Sequence, residues 1–198
     1  MDKYKVNVPE GESGNWEIRH FTVSEEDEKF GALRGIFNGG RYTPAGNYTG
    51  LYHRGSVIMS DTPDEIRDHL GFVHQAKGNV LINGLGIGMV LQAVLNKPEV
   101  NHATIIEISP DVISLVAPHY QEKFGNKLTI IEANALEYKL EKGIRYNAVW
   151  HDIWPNICTD NLEEMAKLHR KYGRRCDWQG SWSKELLKYY QRRERSYW

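Results

Sequence analysis

The segment VLINGLGIGMVLQAVL, residues 80–95, decides the fold. It begins with a short aliphatic run that does not alternate with polar residues, which is typical of a strand covered on both faces. Gly84, Gly86 and Gly88 follow, and then a run of good helix formers. Glycine permits positive φ and lets a ligand approach the backbone, while the start of a helix presents free N–H groups. The segment therefore predicts a strand, a tight turn and a helix around a ligand-binding edge.

Further aliphatic runs alternate with helical segments after this turn. Residues 103–108, 128–131 and 148–150 are typical of buried strands, and Ser109 with Pro110 begins a helix after the first of them. Alternating strands and helices predict βαβ units and a parallel sheet, with helices on both faces. Because no aliphatic strand is found in about the last 40 residues, we expect the sheet to end with its fourth core strand.

Charge and composition divide the chain into three predicted regions. Residues 1–61 form an N-terminal extension with short strands, 62–158 form an α/β core, and 159–198 form a helical basic tail packed on the core. From Lys167 onward the chain has ten basic residues and three acidic ones. We favour a solvated helical tail over nucleic-acid contact for this segment.

The whole-chain composition excludes several classes of protein. The 198 residues carry a net charge of -1 and two cysteines, which argues against a polyanion-coating protein, a disulfide scaffold and a four-thiolate zinc site. No HExxH or C-x-x-C spacing occurs, so no metal is expected. No signal peptide or membrane span is predicted, and the expected location is the cytoplasm.

Glu107 gives the glycine turn a chemical meaning. It ends the second predicted strand, about 20 residues after the first glycine, where a carboxylate in dinucleotide-type folds accepts hydrogen bonds from ribose hydroxyls. The agreement of spacing, strand context and chain order predicts a nucleoside-binding site. The alternative is that the glycines only allow close packing of helix on strand and that Glu107 is a surface acid.

The motifs VLINGLGIG, IIEISPDVI, IIEANALEY and YNAVWHDIWP resemble the class I S-adenosylmethionine-dependent methyltransferase superfamily, in particular its spermidine-synthase-like branch. The resemblance covers roughly residues 55–155. It implies an α/β fold with a Rossmann-like open, mainly parallel sheet flanked by helices, an N-terminal β-containing extension and a helical C-terminal tail. Relative to this family the sheet is expected to be truncated after the fourth core strand.

The resemblance also implies residue roles around S-adenosylmethionine as co-substrate. The turn residues would face its methionine and ribose portions, Glu107 would hold the ribose hydroxyls, and Ile108 would lie against the adenine. Asn134 and Ala135 match the position near the adenine amino group, although Asn134 could equally be a loop-capping residue. The implied cofactor-binding set is Gly84, Leu85, Gly86, Gly88, Glu107, Ile108, Asn134 and Ala135.

Asp152 follows the fourth strand at the carboxyl edge, where open α/β sheets place their sites. In the resembling branch an Asp here deprotonates or orients the attacking amine, so Asp152 is the predicted catalytic base. Trp154 and Pro155 would form an aromatic wall on the substrate side. The alternative is that Asp152 caps the next helix and that Trp154 only packs in the core.

Departures from the branch weaken polyamine chemistry. Ile87 stands where its glycine loop carries an acid, and Asp68 and Leu70 stand where it has an amine-binding Tyr and Glu. The sequence thus predicts an S-adenosylmethionine-binding transferase, with methyl transfer to an unknown acceptor as the default reaction. Aminopropyl transfer, a non-catalytic nucleoside-binding or regulatory module, and nucleic-acid methylation through the basic tail remain alternatives. A homodimer partner or the N-terminal extension could complete the site.

Overall fold

A computed structural model of the chain describes residues 1–38 and 43–195. Its strands are β1 (Gly11–Ser13), β2 (Trp16–Val23), β3 (Gly46–His53), β4 (Ser56–Ser60), β5 (Gly78–Asn83), β6 (Val100–Glu107), β7 (Leu128–Glu132), β8 (Tyr146–His151) and β9 (Cys176–Ser181). Its α-helices are α1 (Glu25–Asn38), α2 (Pro63–Gln75), α3 (Met89–Leu95), α4 (Pro110–Phe124), α5 (Asn161–Tyr172) and α6 (Lys184–Arg195).

The second half of the chain is built on a five-stranded parallel sheet. Its strand order is β7-β6-β5-β8-β9, and every neighbouring pair is parallel. Alternate residues of β5 serve two cores: Val80 and Ile82 pack with α2, α3 and α4, whereas Leu81 packs with α5 and α6. This explains the unbroken aliphatic run, because both faces of the strand are covered. The predicted Rossmann-like architecture is confirmed.

The N-terminal extension forms a separate antiparallel sheet in the order β1-β2-β3-β4. The β3–β4 pairing slips between Leu51 and Tyr52, since Leu51 pairs with Met59 but Tyr52 pairs with Val57. The extra residue on β4 is Ile58, and a bulge of this kind bends a strand and redirects its side chains.

The expectation that the sheet ends with its fourth strand is wrong. Cys176–Ser181, with the sequence CDWQGS, pairs in parallel with β8 as a fifth strand, so the segment after residue 159 is not wholly helical. It is an edge strand with a half-exposed side-chain pattern, and edge strands do not require an aliphatic run. Trp178 anchors it by stacking at 6.0 Å on Phe72 and 6.3 Å on Trp150, measured between ring centroids.

None of the helices within residues 1–38 and 43–195 combines the length and the apolar composition needed to cross a bilayer.

The start of α4 is fixed as the sequence predicts. Pro110 occupies its first turn, and the Ser109 hydroxyl accepts a hydrogen bond from the Val112 N–H at 3.3 Å. The N-terminus of this helix therefore points its free amides toward the end of β6, which carries Glu107.

Candidate functional site

A cavity of about 580 Å³ opens between the carboxyl edge of the parallel sheet and the N-terminal sheet. Its volume is within the range of small-molecule sites. Most of the site residues predicted from the sequence line it, and these are Gly84, Gly86, Glu107, Ile108, Asn134, Ala135, Asp152, Trp154 and Pro155. Residues that are distant in the chain thus meet at one edge because the strands that carry them are parallel.

Leu85 and Gly88, also predicted as cofactor-binding, are placed differently. The Leu85 side chain is buried in the core, and only its backbone takes part in the site. Gly88 has φ +72°, and a Cβ at this position would overlap the Tyr120 ring. The third glycine therefore allows the Tyr120 ring of α4 to pack on the turn. This is a packing role, although the alternative stated from the sequence was close packing of helix on strand.

The Glu107 carboxylate is held firmly at the cavity wall. Its Oε2 accepts a hydrogen bond from the Leu85 N–H at 2.8 Å, and its Oε1 accepts one from the Ser109 N–H at 2.8 Å. The residue is only 9% exposed, so the alternative of a surface acid is wrong. A carboxylate has about four acceptor positions, and two of them stay available after these bonds. Glu107 can therefore accept hydrogen bonds from a vicinal diol.

The neighbouring residues form a mainly apolar floor beside Glu107. Ile108 is 64% exposed although it is a large aliphatic residue, and it borders the cavity together with Ala135. The Asn134 Oδ1 accepts a hydrogen bond from the Leu136 N–H at 2.9 Å, which is the loop-capping role considered as its alternative. An aromatic heterocycle would find an exposed aliphatic surface here, with the Asn134 amide at its edge.

Asp152 is the candidate base, and its surroundings favour the protonated acid. Burial, followed by the negative charges of Glu65, Asp68 and Glu107, raises the pKa of Asp152 to about 7. Its Oδ2 lies 3.8 Å from His69 Nε2. Because α5 begins only at Asn161, Asp152 does not cap it. A carboxyl that titrates near neutral pH can take a proton from an acceptor group.

His69 is a site residue that the sequence analysis missed. It lines the cavity, and burial lowers its pKa to about 4, so the ring is neutral near pH 7. Its Nδ1 is buried and has no hydrogen-bond partner among the described residues. Glu65 also lines the cavity one helical turn earlier and accepts hydrogen bonds from the Ser60 N–H and Oγ–H, both at 2.8 Å. Glu65 and His69 are four residues apart on the predicted helix, so they lie on the same face. This spacing could have identified both as site residues.

The N-terminal extension, which the sequence left open as a contributor to the site, supplies a further wall of the cavity. Trp16 and His53 stack with their ring centroids 4.5 Å apart, and both line the cavity with Met59 and Trp182. Trp16 and His53 are register partners in β2 and β3. Strand register is a non-local property, so nothing in the local sequence pairs these two rings.

Trp154 packs in the core and also borders the cavity. It is 7% exposed and belongs to the core that contains α5, yet it also borders the cavity with Pro155. Its Nε1–H donates to Glu164 Oε2 at 2.8 Å. The indole is thus fixed in orientation by α5, which suits a rigid wall.

The charges around the cavity have one sign. Glu65, Glu107 and Asp152 border it, whereas none of the described lining residues is a Lys or Arg. Carboxylates in a partly closed site attract positive charge. No group of three or more His, Cys, Asp or Glu side chains suited to a metal ion occurs within the described part of the chain.

Solved structures with a similar fold include several transferases. The CcbJ methyltransferase from Streptomyces caelestis is 20% identical with a TM-score of 0.46, over 58% of this chain and 45% of that one. Spermidine synthase from Thermotoga maritima is 18% identical with a TM-score of 0.44, over 72% and 46%. A dimethyladenosine transferase from Plasmodium falciparum is 20% identical with a TM-score of 0.39, over 52% and 37%.

These solved structures are a methyltransferase, a spermidine synthase and a dimethyladenosine transferase. At such identities the likeness concerns the fold alone. The chain spans about half the length of the solved structures it matches. No protein-family model matches the sequence, and no curated protein matches it.

Proposed function

We propose that the cavity binds S-adenosylmethionine and that the chain transfers its methyl group to an acceptor. The observation that carries this proposal is the Glu107 carboxylate, which the Leu85 and Ser109 amides hold at the cavity wall. Two of its acceptor positions remain available to a ligand. This carboxylate suits the two hydroxyls of a ribose. The exposed Ile108 surface next to it suits the adenine ring.

The charge of the cavity supports a sulfonium donor. Three carboxylates border the cavity, and the sulfonium and ammonium groups of S-adenosylmethionine are both positive. In the proposed step the acceptor lone pair attacks the methyl carbon, the S–CH₃ bond breaks, and its electron pair stays on sulfur as a neutral thioether. Asp152 takes the proton that the acceptor loses. The remaining contribution of the protein is to align donor and acceptor.

Calorimetric titration with S-adenosylhomocysteine, the expected product, tests the binding step. Glu107→Ala should weaken binding about tenfold or more, because hydrogen bonds to a charged group contribute about 1.5–3 kcal/mol. Glu132→Ala is the matched control, since Glu132 is the register partner of Glu107 in β7 and is exposed. Equal affinity of wild type and Glu107→Ala, or no binding to either, would contradict the proposal.

Aminopropyl transfer from the decarboxylated donor is the second candidate. It is favoured by one observation. None of the described lining residues is a Lys or Arg that could pair with the carboxylate of S-adenosylmethionine, and the decarboxylated donor has no carboxylate to pair. Ile87 argues against it, because the family's loop acid is replaced here by a fully buried aliphatic residue. Mass spectrometry of reactions containing either donor and a panel of amines distinguishes a gain of a methyl group from a gain of an aminopropyl group. Tight binding with neither product would indicate a binding or regulatory module.

A further inference from the structure

Met59 lies directly over the glycine turn. Its Sδ accepts a hydrogen bond from the Ile87 N–H at 3.3 Å, and a Cβ at Gly86 would overlap the same sulfur atom. The side chain also lines the cavity. Met59 therefore occupies the space that a side chain at Gly86 would fill. In this structure it covers the turn on the side that faces the cavity.

The bulge in β4 explains how Met59 reaches this position. Consecutive residues of a regular strand point to opposite faces, yet Ile58 and Met59 both line the cavity. The register slip between Leu51 and Tyr52 supplies the change in direction. In the described sheet β4 is the outer strand and pairs only with β3, so the thioether is presented from the less restrained edge.

Three other amides of the turn are engaged more strongly. The Gly84 N–H donates to the Ile106 carbonyl, the Leu85 N–H to Glu107, and the Gly88 N–H to the Leu85 carbonyl. Ile87 donates to a thioether, which is a weak acceptor. A ligand carboxylate would make a stronger, charge-assisted bond to this amide, but it must first displace the Met59 side chain.

We infer that Met59 is a specificity-determining residue that lowers the affinity of the cavity for adenosine derivatives with an amino-acid chain relative to those with a short uncharged 5′ substituent. This inference rests on the proposed function. Because Glu107 is bonded to the Leu85 N–H, a ribose bound at Glu107 would lie beside Leu85, and a long 5′ chain would extend over Gly86, where Met59 lies. A ligand that binds only after this displacement loses affinity by the fraction of molecules in the open state. A ligand without the chain has no such loss.

The test compares S-adenosylhomocysteine with 5′-methylthioadenosine, which carries the same nucleoside without the amino-acid chain. Their dissociation constants are measured by calorimetry for wild type, Met59→Ala, Met59→Leu and Val57→Ala. Met59→Ala should shift the ratio of the two constants about tenfold toward S-adenosylhomocysteine, as expected when a mostly closed state becomes open. Met59→Leu keeps the bulk and should behave like wild type, as should Val57→Ala, which alters an exposed residue of the same strand.

An unchanged ratio in Met59→Ala would overturn the inference, and an equal shift in Met59→Leu would overturn it as well. The affinity for 5′-methylthioadenosine reports whether each variant has a folded site. If neither nucleoside binds wild type, the proposed function fails; if 5′-methylthioadenosine binds and the ratio stays unchanged, only the inference fails.

A measurement on the unsubstituted protein gives an independent readout. The chain has four methionines, so the ¹³C-methyl signal of Met59 can be assigned by comparison with Met59→Leu. Saturation with S-adenosylhomocysteine should move this signal strongly, whereas 5′-methylthioadenosine should move it much less. Equal shifts with the two ligands would contradict displacement of Met59 by the chain.

Discussion

His151 ends β8 and Asp152 follows it directly; both have shifted pKa values, but their side chains meet different surroundings. Burial lowers the pKa of His151 to about 3 and raises that of Asp152 to about 7. In both cases the neutral form is favoured. Asp152 borders the cavity, whereas His151 is fully buried on the side of α5. A shifted pKa therefore does not by itself mark a site, because access to the cavity is also required.

The surroundings of His151 are fully occupied by hydrogen bonds. Its Nδ1 lies 2.7 Å from Asn83 Nδ2, its Nε2 lies 3.3 Å from Gln179 Oε1, and the Tyr172 hydroxyl donates to Asn83 Oδ1 at 3.3 Å. These partners are all satisfied when the amide of Asn83 donates to Nδ1 and Nε2 carries the proton. The arrangement joins three strands and α5, and it holds them together without a ligand.

The largest expected effect is on the rate of methyl transfer, and it distinguishes Asp152 from His151. Asp152→Asn should lower the rate of methyl transfer about 100-fold or more, because general-base catalysis contributes about 10²–10⁴, while the affinity for S-adenosylhomocysteine is retained. The measurement is transfer of a labelled methyl group to a panel of small acceptors. Asp177→Asn, at an exposed position of the edge strand β9, is the control. An unchanged rate in Asp152→Asn would remove Asp152 from the mechanism.

The same base predicts the pH dependence of the reaction. Since the pKa of Asp152 is raised to about 7, the ionised form is scarce below this pH and dominant above it. The rate of methyl transfer under saturating donor should rise with pH through about 7 and then level off. A rate profile without an inflection in this region would show that another group limits proton transfer.

His151→Leu should act on stability and leave binding unchanged. The substitution leaves the Asn83 amide and the Gln179 carbonyl without their buried partner, which costs about 1–3 kcal/mol of the free energy of unfolding for each unsatisfied group. Urea unfolding measures this loss, and calorimetry with S-adenosylhomocysteine measures binding at a temperature where the variant is folded. A loss of affinity without a loss of stability would place His151 in the site.

A smaller effect follows from acidification. Because the folded pKa of His151 is lowered from 6.5 to about 3, the unfolded chain binds the proton first as the pH falls. The contribution of this residue to stability is therefore present above pH 6.5 and decreases by about 1.4 kcal/mol per pH unit below it. His69, lowered to about 4 by burial, adds a change of the same sign. Urea unfolding at several pH values between 7.5 and 4.5 checks this slope.

The last expected effect has the opposite sign. The folded pKa of Asp152 is raised above the ordinary value of 3.8, so the folded protein retains a proton that the unfolded chain releases. This residue makes the protein less stable as the pH rises from about 4 through about 7. Asp152→Asn should therefore be more stable than wild type at pH 8 and about equally stable at pH 4. A destabilised variant at pH 8 would contradict this.

The predictable part of the molecule is the part with local signals. Glycine spacing and aliphatic runs give β5, β6 and β8, and chain order then places Glu107 and Asp152 at the same edge. The edge strand β9 was missed because its Asp, Trp and Gly residues gain their strand conformation from pairing with β8. Met59 was missed because its position depends on a register slip between two strands. Contacts of this kind are set by tertiary packing and leave no periodic pattern.

The three glycines of the turn give a practical lesson for protein engineering. An alanine at any of them is expected to damage the protein, but the obstacle differs each time: the Asp152 main-chain carbonyl at Gly84, a flexible thioether at Gly86 and a rigid ring at Gly88. The obstacle at Gly86 is the flexible end of one side chain and can be trimmed, whereas the obstacle at Gly88 is the fully buried Tyr120 ring and the obstacle at Gly84 is main chain. A suppressor screen started from Gly86→Ala would therefore select changes at Met59, whereas screens started from the other two positions would return mainly revertants.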